Sequence, residues 1–155
     1  MAYKVLVALD FSKLGKEVAA YGFDIAKKLG GTAAFLHVIP EPEPMFKSYA
    51  VSIPKALEAS MREIRSASER KLHVYIEDFC GKEGGSAPKC EAVVEIGDPA
   101  KCIMRYAKEG GFDMIVLGYR GHTPIDEFLV GSTVNKVARY APCSVLIYRP
   151  EDADK

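Results

Sequence analysis

Short apolar runs alternate along the chain with longer stretches in which apolar residues recur every three to four positions. The runs predict buried strands, and the longer spacing predicts helices that bury one face. The predicted strands are 3–9, 32–39, 91–96, 112–117 and 143–148. One helix separates each strand from the next, and this alternation predicts a parallel sheet with right-handed crossovers.

Three of the predicted helices have recognisable ends. Ser12 is a predicted N-cap of the first helix, which ends at Gly30-Gly31, and Asp98 followed by Pro99 starts the third. Pro142 follows the last helix. The predicted buried stripes are Leu14, Val18, Tyr21, Ile25 and Leu29 in the first helix, Leu57, Met61, Ile64, Leu72, Tyr75 and Phe79 in the second, Ile103, Tyr106 and Ala107 in the third, and Val134, Val137, Ala138 and Ala141 in the fourth.

Composition narrows the class of protein. The 155 residues predict one domain, residues 1–150, followed by a polar tail, 151–155. Lysine plus arginine equals aspartate plus glutamate, so the net charge of zero argues against nucleic acid or an anionic membrane as the main partner. No apolar run approaches the roughly 20 residues of a membrane span, and no secretory signal is evident. We therefore expect a cytoplasmic protein.

Two connections stand out. Residues 39–54 contain four prolines, which predicts an irregular connection, and a flexible surface loop is favoured over a lid or partner contact. Residues 80–90 form a polar, glycine-rich loop bounded by Cys80 and Cys90. A disulfide between them is conceivable, but in a cytoplasm we expect two free thiols. The cysteine spacing does not predict a zinc site.

A glycine-rich loop follows the fourth predicted strand. Its pattern is Gly118, two residues, Gly121, nine residues and then Gly131-Ser132-Thr133, directly before a helix. The pattern matches neither a P-loop nor the dinucleotide fingerprint. Glycine permits close approach of the backbone to a ligand, and a helix N-terminus favours a phosphate. The alternative is that these residues are only turns and an N-cap.

Asp10 ends the first predicted strand, and ligands of open α/β sheets bind at the carboxyl ends of strands. If the strand order is 3-2-1-4-5, the first and fourth strands are neighbours, and Asp10 faces Gly118 across a crevice. A carboxylate repels phosphates, so Asp10 would serve ribose hydroxyls, or phosphates only through a metal. Its alternative role is to accept hydrogen bonds from loop N–H groups.

The glycine spacing resembles the nucleotide-binding signature of the universal stress protein family. The resemblance covers nearly the whole chain, including KVLVALDFS (4–12), IGDPA (96–100) and APCSVLIY (141–148). It implies a five-stranded α/β fold of the adenine nucleotide alpha hydrolase-like type, and we expect a parallel sheet of order 3-2-1-4-5 with helices on both faces. It also implies ATP binding, since the full glycine pattern marks members that bind ATP, and frequent dimerisation.

The resemblance assigns roles to individual residues. The Gly131-Ser132-Thr133 turn would hold the phosphates, with Mg²⁺ or Mn²⁺ as a possible companion. Gly118 and Gly121 would let the loop pass close to the ribose and phosphates. Arg120 would neutralise phosphate charge, the alternative being an ordinary surface arginine. The remaining predicted nucleotide-binding residues are Asp10, which would contact the nucleotide, and Val38, Gly97 and Asp98, which would border the adenine.

The chain has no lysine in the glycine loop and no evident catalytic dyad. His122 in the loop is a weak catalytic candidate, and His37 and His73 are interpreted as structural. We expect a nucleotide-dependent switch or stress-response factor with at most slow ATP hydrolysis. The alternatives are another α/β enzyme, such as an ATP pyrophosphatase or a flavoprotein domain, which the nine-residue spacing disfavours, and a dimeric interaction module. That module would pair through the fifth strand, Val145, Leu146, Ile147 and Tyr148.

Overall fold

The structure is a computed structural model, and it describes residues 2–41, 55–81, 85, 87–121 and 130–151. The proline-containing connection lies outside these ranges except for its first three residues, as do His122 and residues 152–155. Among the helices that the structure describes, none has the length and the apolar character of a membrane span.

The five strands form one parallel sheet in the order β3-β2-β1-β4-β5. The strands are β1 Lys4–Ala8, β2 Thr32–Pro40, β3 Cys90–Gly97, β4 Met114–Gly118 and β5 Ser144–Tyr148. The helices are α1 Lys13–Lys28, α2 Lys55–Cys80, α3 Pro99–Glu109 and α4 Ser132–Tyr140. The predicted α/β class, strand order and helix–strand alternation are confirmed, with boundaries within two residues of those expected.

Helices cover both faces of the sheet, as expected. Alternate residues of β1 point to opposite faces, so Val5 and Val7 pack with α1 and α2, while Leu6 and Ala8 pack with α3 and α4. These strand residues are almost completely buried on both faces, which explains why their sequence is continuously apolar. β1 is thus the central strand of the sheet, with two strands on each side.

The predicted buried stripe of α1 is partly wrong. Tyr21 and Leu29 are 37% and 47% exposed. The face that packs on the sheet consists of small residues and one aromatic ring: Gly15, Val18, Ala19, Gly22, Phe23 and Ala26. A Cβ on Gly22 would lie 2.5 Å from Cγ2 of Val7, so the helix approaches β1 more closely than a stripe of large residues would allow. The contact between α1 and the sheet is therefore formed largely by small residues, most of which lie outside the predicted stripe.

α2 shows a smaller deviation of the same kind. Leu72 and Ile76 are buried, whereas Ile64 of the predicted stripe is 47% exposed. Only the C-terminal part of this long helix buries residues fully against the sheet. In α4, Val134 and Val137 are buried as expected, but Ala138 is exposed.

The expectation of two free thiols at Cys80 and Cys90 is wrong in this structure, because these residues form a disulfide. Cys80 is the last residue of α2 and Cys90 is the first residue of β3, and their Cα atoms lie 6.2 Å apart. The crossover returns the end of α2 to the start of β3, so the fold itself brings the two side chains together. The prediction of free thiols considered only the expected redox compartment, which says nothing about the distance between the two cysteines.

Candidate functional site

A crevice of about 710 Å³ opens at the carboxyl ends of β1 and β4. These neighbouring strands continue into α1 and α4, which pack on opposite faces of the sheet. Their divergence leaves space above the strand ends, as at the switch points where open α/β sheets bind ligands. The structure thus has a crevice at the position where the sequence predicts a binding site.

Eight of the predicted site residues line this crevice: Asp10, Val38, Gly118, Arg120, Gly121, Gly131, Ser132 and Thr133. They come from the ends of β1, β2 and β4 and from the start of α4. The fold therefore gathers four distant sequence segments at one place.

Gly97 and Asp98 are not among the residues that line the crevice, although the following Pro99 is. Asp98 caps α3, because its Oδ1 accepts a hydrogen bond of 2.9 Å from the Lys101 N–H. Gly97 has a φ of +153°, and a Cβ there would lie 2.9 Å from Cys102 Sγ. Both residues thus have local structural roles at the turn between β3 and α3.

Asp10 is anchored by the residue that caps α1. Its Oδ1 accepts a hydrogen bond of 3.0 Å from the Ser12 N–H and a second, short one from the Ser12 hydroxyl. Ser12 Oγ in turn accepts from the Gly15 N–H at 3.1 Å, which confirms Ser12 as the N-cap. The alternative role foreseen for Asp10, acceptance of loop N–H bonds, therefore accounts for one of its two oxygens.

Gly118 and Gly121 are also closely approached by side chains of α1 and of the turn after β1. A Cβ on Gly118 would lie 3.0 Å from Leu14 Cδ2 and 3.2 Å from Val18 Cγ2, so α1 presses against this position. A Cβ on Gly121 would lie 2.8 Å from Oδ2 of Asp10. The loop after β4 thus passes directly beside the second oxygen of Asp10.

The N-terminus of α4 differs from those of α1 and α3. Its N-cap is Gly131, with φ −57° and ψ 152°, which has no side chain to bond the first-turn N–H groups. The Gly131 N–H donates to the Tyr119 carbonyl at 3.1 Å, and the Gly131 carbonyl accepts from Asn135 N–H at 2.9 Å. The first-turn N–H groups of Ser132 and Thr133 therefore lie at the crevice without a cap from the preceding residue.

A positive side chain stands at the mouth of the crevice. Arg120 is exposed and lines the crevice, and its guanidinium carbon lies 5.0 Å from the centroid of the Tyr119 ring. The guanidinium of Arg149 lies 5.1 Å from the same ring. Because Tyr119 is buried, its ring is a fixed platform for Arg120.

The apolar part of the crevice was not predicted from the sequence. Leu36, Pro40, Ile103, Leu117 and Val134 all line the crevice, although each was interpreted only as part of an element or its end. His37, interpreted as structural, also lines the crevice. Its Nδ1 lies 3.0 Å from the Leu9 carbonyl oxygen, and its ring centroid lies 4.2 Å from that of Phe11. The sequence signal for His37 at the crevice was that it directly precedes Val38, a predicted site residue near the end of β2.

Tyr75 connects α2 to the same region. Its hydroxyl donates a hydrogen bond of 2.9 Å to the Ser12 carbonyl, and its ring meets Phe11 edge-on. Burial, and secondarily the charge of Asp10, raises the pKa of Tyr75 to about 12. The hydroxyl therefore stays protonated at neutral pH and remains a donor to Ser12.

Comparison with known proteins agrees with this architecture. The model of the universal stress protein family matches residues 1–149. The universal stress protein YxiE of Bacillus subtilis is 30% identical over 149 residues, which cover 96% of this chain and 100% of YxiE. Two solved structures share the fold. One is a universal stress protein in complex with cAMP, with a TM-score of 0.65 and 20% identity, and the match covers 95% of this chain and 97% of that chain. The other is a universal stress protein family protein from Arabidopsis thaliana with AMP bound, with a TM-score of 0.64 and 19% identity, and the match covers 99% of this chain and 95% of that chain. The chain belongs to the universal stress protein family.

Proposed function

We propose that this protein binds ATP in the crevice between β1 and β4 and acts in the cytoplasm as a nucleotide-dependent switch or stress-response factor. The observation that carries the proposal is the convergence of Asp10, the Gly118–Gly121 segment and the start of α4 on one crevice. Two family members of the same fold contain an adenine nucleotide, cAMP in one and AMP in the other. These neighbours support an adenine nucleotide as the class of ligand.

The charges around the crevice suit a polyphosphate at the α4 end. The first-turn N–H groups of α4 and the positive end of its dipole favour an anion, and Arg120 adds a positive charge. A phosphate chain there would receive backbone hydrogen bonds and the hydroxyls of Ser132 and Thr133. Because the whole protein has no net charge, this local arrangement must supply the attraction.

The opposite part of the crevice suits the nucleoside. Leu36, Val38 and Ile103 offer an apolar surface for a purine ring. Asp10 is the single carboxylate among the described lining residues, and as a pure acceptor it favours ribose hydroxyls over phosphate oxygens. The nucleotide would thus lie with its base towards β2 and its phosphates towards α4.

A divalent cation would accompany the phosphates. The described residues contain no cluster of three His, Cys, Asp or Glu side chains that could hold a metal without help. Mg²⁺ commonly binds together with substrate phosphates and keeps several of its waters, and the Ser132 and Thr133 hydroxyls at the phosphate end of the crevice would add oxygen ligands. We therefore expect Mg²⁺ or Mn²⁺ to bind with ATP rather than before it.

Equilibrium binding tests the proposal directly. Labelled ATP should bind with a stoichiometry of one per chain, measured by dialysis with and without Mg²⁺, and unlabelled ATP should compete. Absence of binding at about 1 mM ATP in both conditions would refute ATP binding. We also expect slow hydrolysis at most, below about one turnover per second in a phosphate-release assay.

A second candidate function is a dimeric interaction module, and the position of β5 favours it. β5 is an edge strand that pairs with β4, and its other edge faces away from the described sheet. Ile147 is 41% exposed there, and the Tyr21 and Tyr148 rings lie side by side at 4.9 Å. An apolar edge strand is suited to pair with a second copy of the chain.

Replacing Ile147 by lysine should break this dimer, because a charge on an edge strand opposes pairing. Light scattering across a concentration series would show a dimer for the unaltered protein and a monomer for Ile147→Lys. Val74→Lys is the matched control, since Val74 is 67% exposed on α2, away from β5. A dimer that persists in Ile147→Lys would argue against this interface, and a dimer with no affinity for ATP would favour the module over the switch.

A further inference from the structure

The two carboxylate oxygens of Asp10 have different surroundings. Oδ1 accepts two hydrogen bonds from Ser12, one from the N–H and one from the hydroxyl. Oδ2 lies on the side of Gly121, where an added Cβ would be 2.8 Å away. The carboxylate is therefore held by one oxygen, and the other is presented to the loop that borders the crevice.

The hydrogen-bond polarity at Ser12 is unambiguous. The Gly15 N–H can only donate, so Ser12 Oγ is the acceptor in that contact at 3.1 Å. The single hydroxyl proton is then available for Asp10 Oδ1, which can only accept. One side chain thus caps α1 and orients Asp10 at the same time.

The backbone of Ser12 is held from a third direction. Its carbonyl accepts the Tyr75 hydroxyl at 2.9 Å, so α2 braces the turn that carries Asp10. Gly15 packs so closely over the Asp10 carbonyl that no side chain fits between them. The turn after β1 is consequently fixed by contacts from α1 and α2 before any ligand binds, which lowers the cost of ordering a binding group.

We propose that Ser12 is a positioning residue that fixes Asp10 with Oδ2 towards the crevice and thereby makes the site selective for ligands with ribose hydroxyls over their deoxy counterparts. The inference rests on the proposed nucleotide-binding function. A carboxylate oxygen whose direction is fixed accepts an O–H donor with little loss of freedom. A carboxylate that rotates freely loses part of that gain.

The test compares ATP with 2′,3′-dideoxyATP, which lacks both hydroxyl donors. The unaltered protein should bind ATP roughly tenfold or more tightly than the dideoxy analogue, since hydrogen bonds to a charged acceptor are strong. Ser12→Ala should reduce this ratio to about two, with affinity for dideoxyATP changed by less than about twofold.

Two further variants separate positioning from capping. Ser12→Thr keeps both the cap and the hydroxyl donor, so it should keep the ratio. Ser12→Gly removes the hydroxyl donor to Asp10, but glycine is itself favoured at the N-cap, so this variant should lose the ratio while α1 stays close to its full stability. Thermal melting of each variant shows whether the fold is intact.

The possible failures are distinguishable. If the unaltered protein binds neither nucleotide, the proposed function itself is wrong. If it binds ATP but shows no preference over dideoxyATP, or if Ser12→Ala and Ser12→Gly keep the full preference, the positioning role is refuted and ATP binding stands. Loss of affinity for both nucleotides to the same extent in Ser12→Gly would likewise refute it, because that result indicates general damage to the site.

Discussion

Replacing Gly131 by valine is expected to weaken ATP binding by at least about 100-fold, equivalent to roughly 2.7 kcal/mol. Gly131 is buried, lines the crevice and leads into α4. An isopropyl group there must take space either from the crevice or from the packing that places the Ser132 and Thr133 N–H groups. Titration of the variant with labelled ATP measures the loss.

The backbone at Gly131 should accept this change. Its φ of −57° and ψ of 152° are open to any residue, so the substitution introduces no backbone strain, and the circular dichroism spectrum should not change. Gly85→Val is the matched control, because a Cβ there meets nothing within 4 Å and Gly85 does not line the crevice. Equal ATP affinity in Gly131→Val and Gly85→Val would count against the phosphate site at the start of α4.

Replacing Gly15 by alanine should destabilise the protein by about 3 kcal/mol, although alanine is the better helix former by roughly 1 kcal/mol. The reason is tertiary. A Cβ on Gly15 would overlap the Asp10 carbonyl oxygen, which is backbone and cannot rotate away. α1 must then move off the end of β1. Thermal melting should show a decrease of roughly 6–12 °C in Tm.

Ala20→Gly provides the control for Gly15→Ala. Ala20 is exposed on the same helix, and its replacement by glycine should cost only the helix-propensity difference of about 1 kcal/mol. If Gly15→Ala is as stable as the unaltered protein or more so, α1 does not approach the end of β1 as closely as the structure places it. ATP affinity should fall together with stability in Gly15→Ala, because Asp10 lies at the displaced contact.

Local patterns were the most reliable guide to this fold. Ser12 and Asp98 were identified as caps from their type and position, and each accepts the expected first-turn N–H. The buried strands were recognised from continuous apolar runs, because a central parallel strand is covered on both faces. These patterns depend on residues that are adjacent in sequence, so they can be recognised without knowledge of the tertiary contacts.

Contacts between distant segments were less predictable. Tyr21 was expected in the core because of its size and spacing, yet the helix turns Gly22 and Ala19 to the sheet instead. Val38 and Asp98 were both expected beside the adenine, but only Val38 lines the crevice. The rotation of a helix about its axis depends on packing against partners remote in sequence, and so does the position of a turn relative to the crevice.

By itself, the sequence determined the alternation of strands and helices, the caps and, through its glycine spacing, the family. These features follow from periodicity and from residue types at neighbouring positions. Only the tertiary structure decided that Cys80 meets Cys90, that small residues of α1 form its contact with β1, and that the Tyr75 hydroxyl of α2 donates to the Ser12 carbonyl. The physical reason is that the parallel crossovers bring these groups together from positions whose separation in the chain carries no local signal.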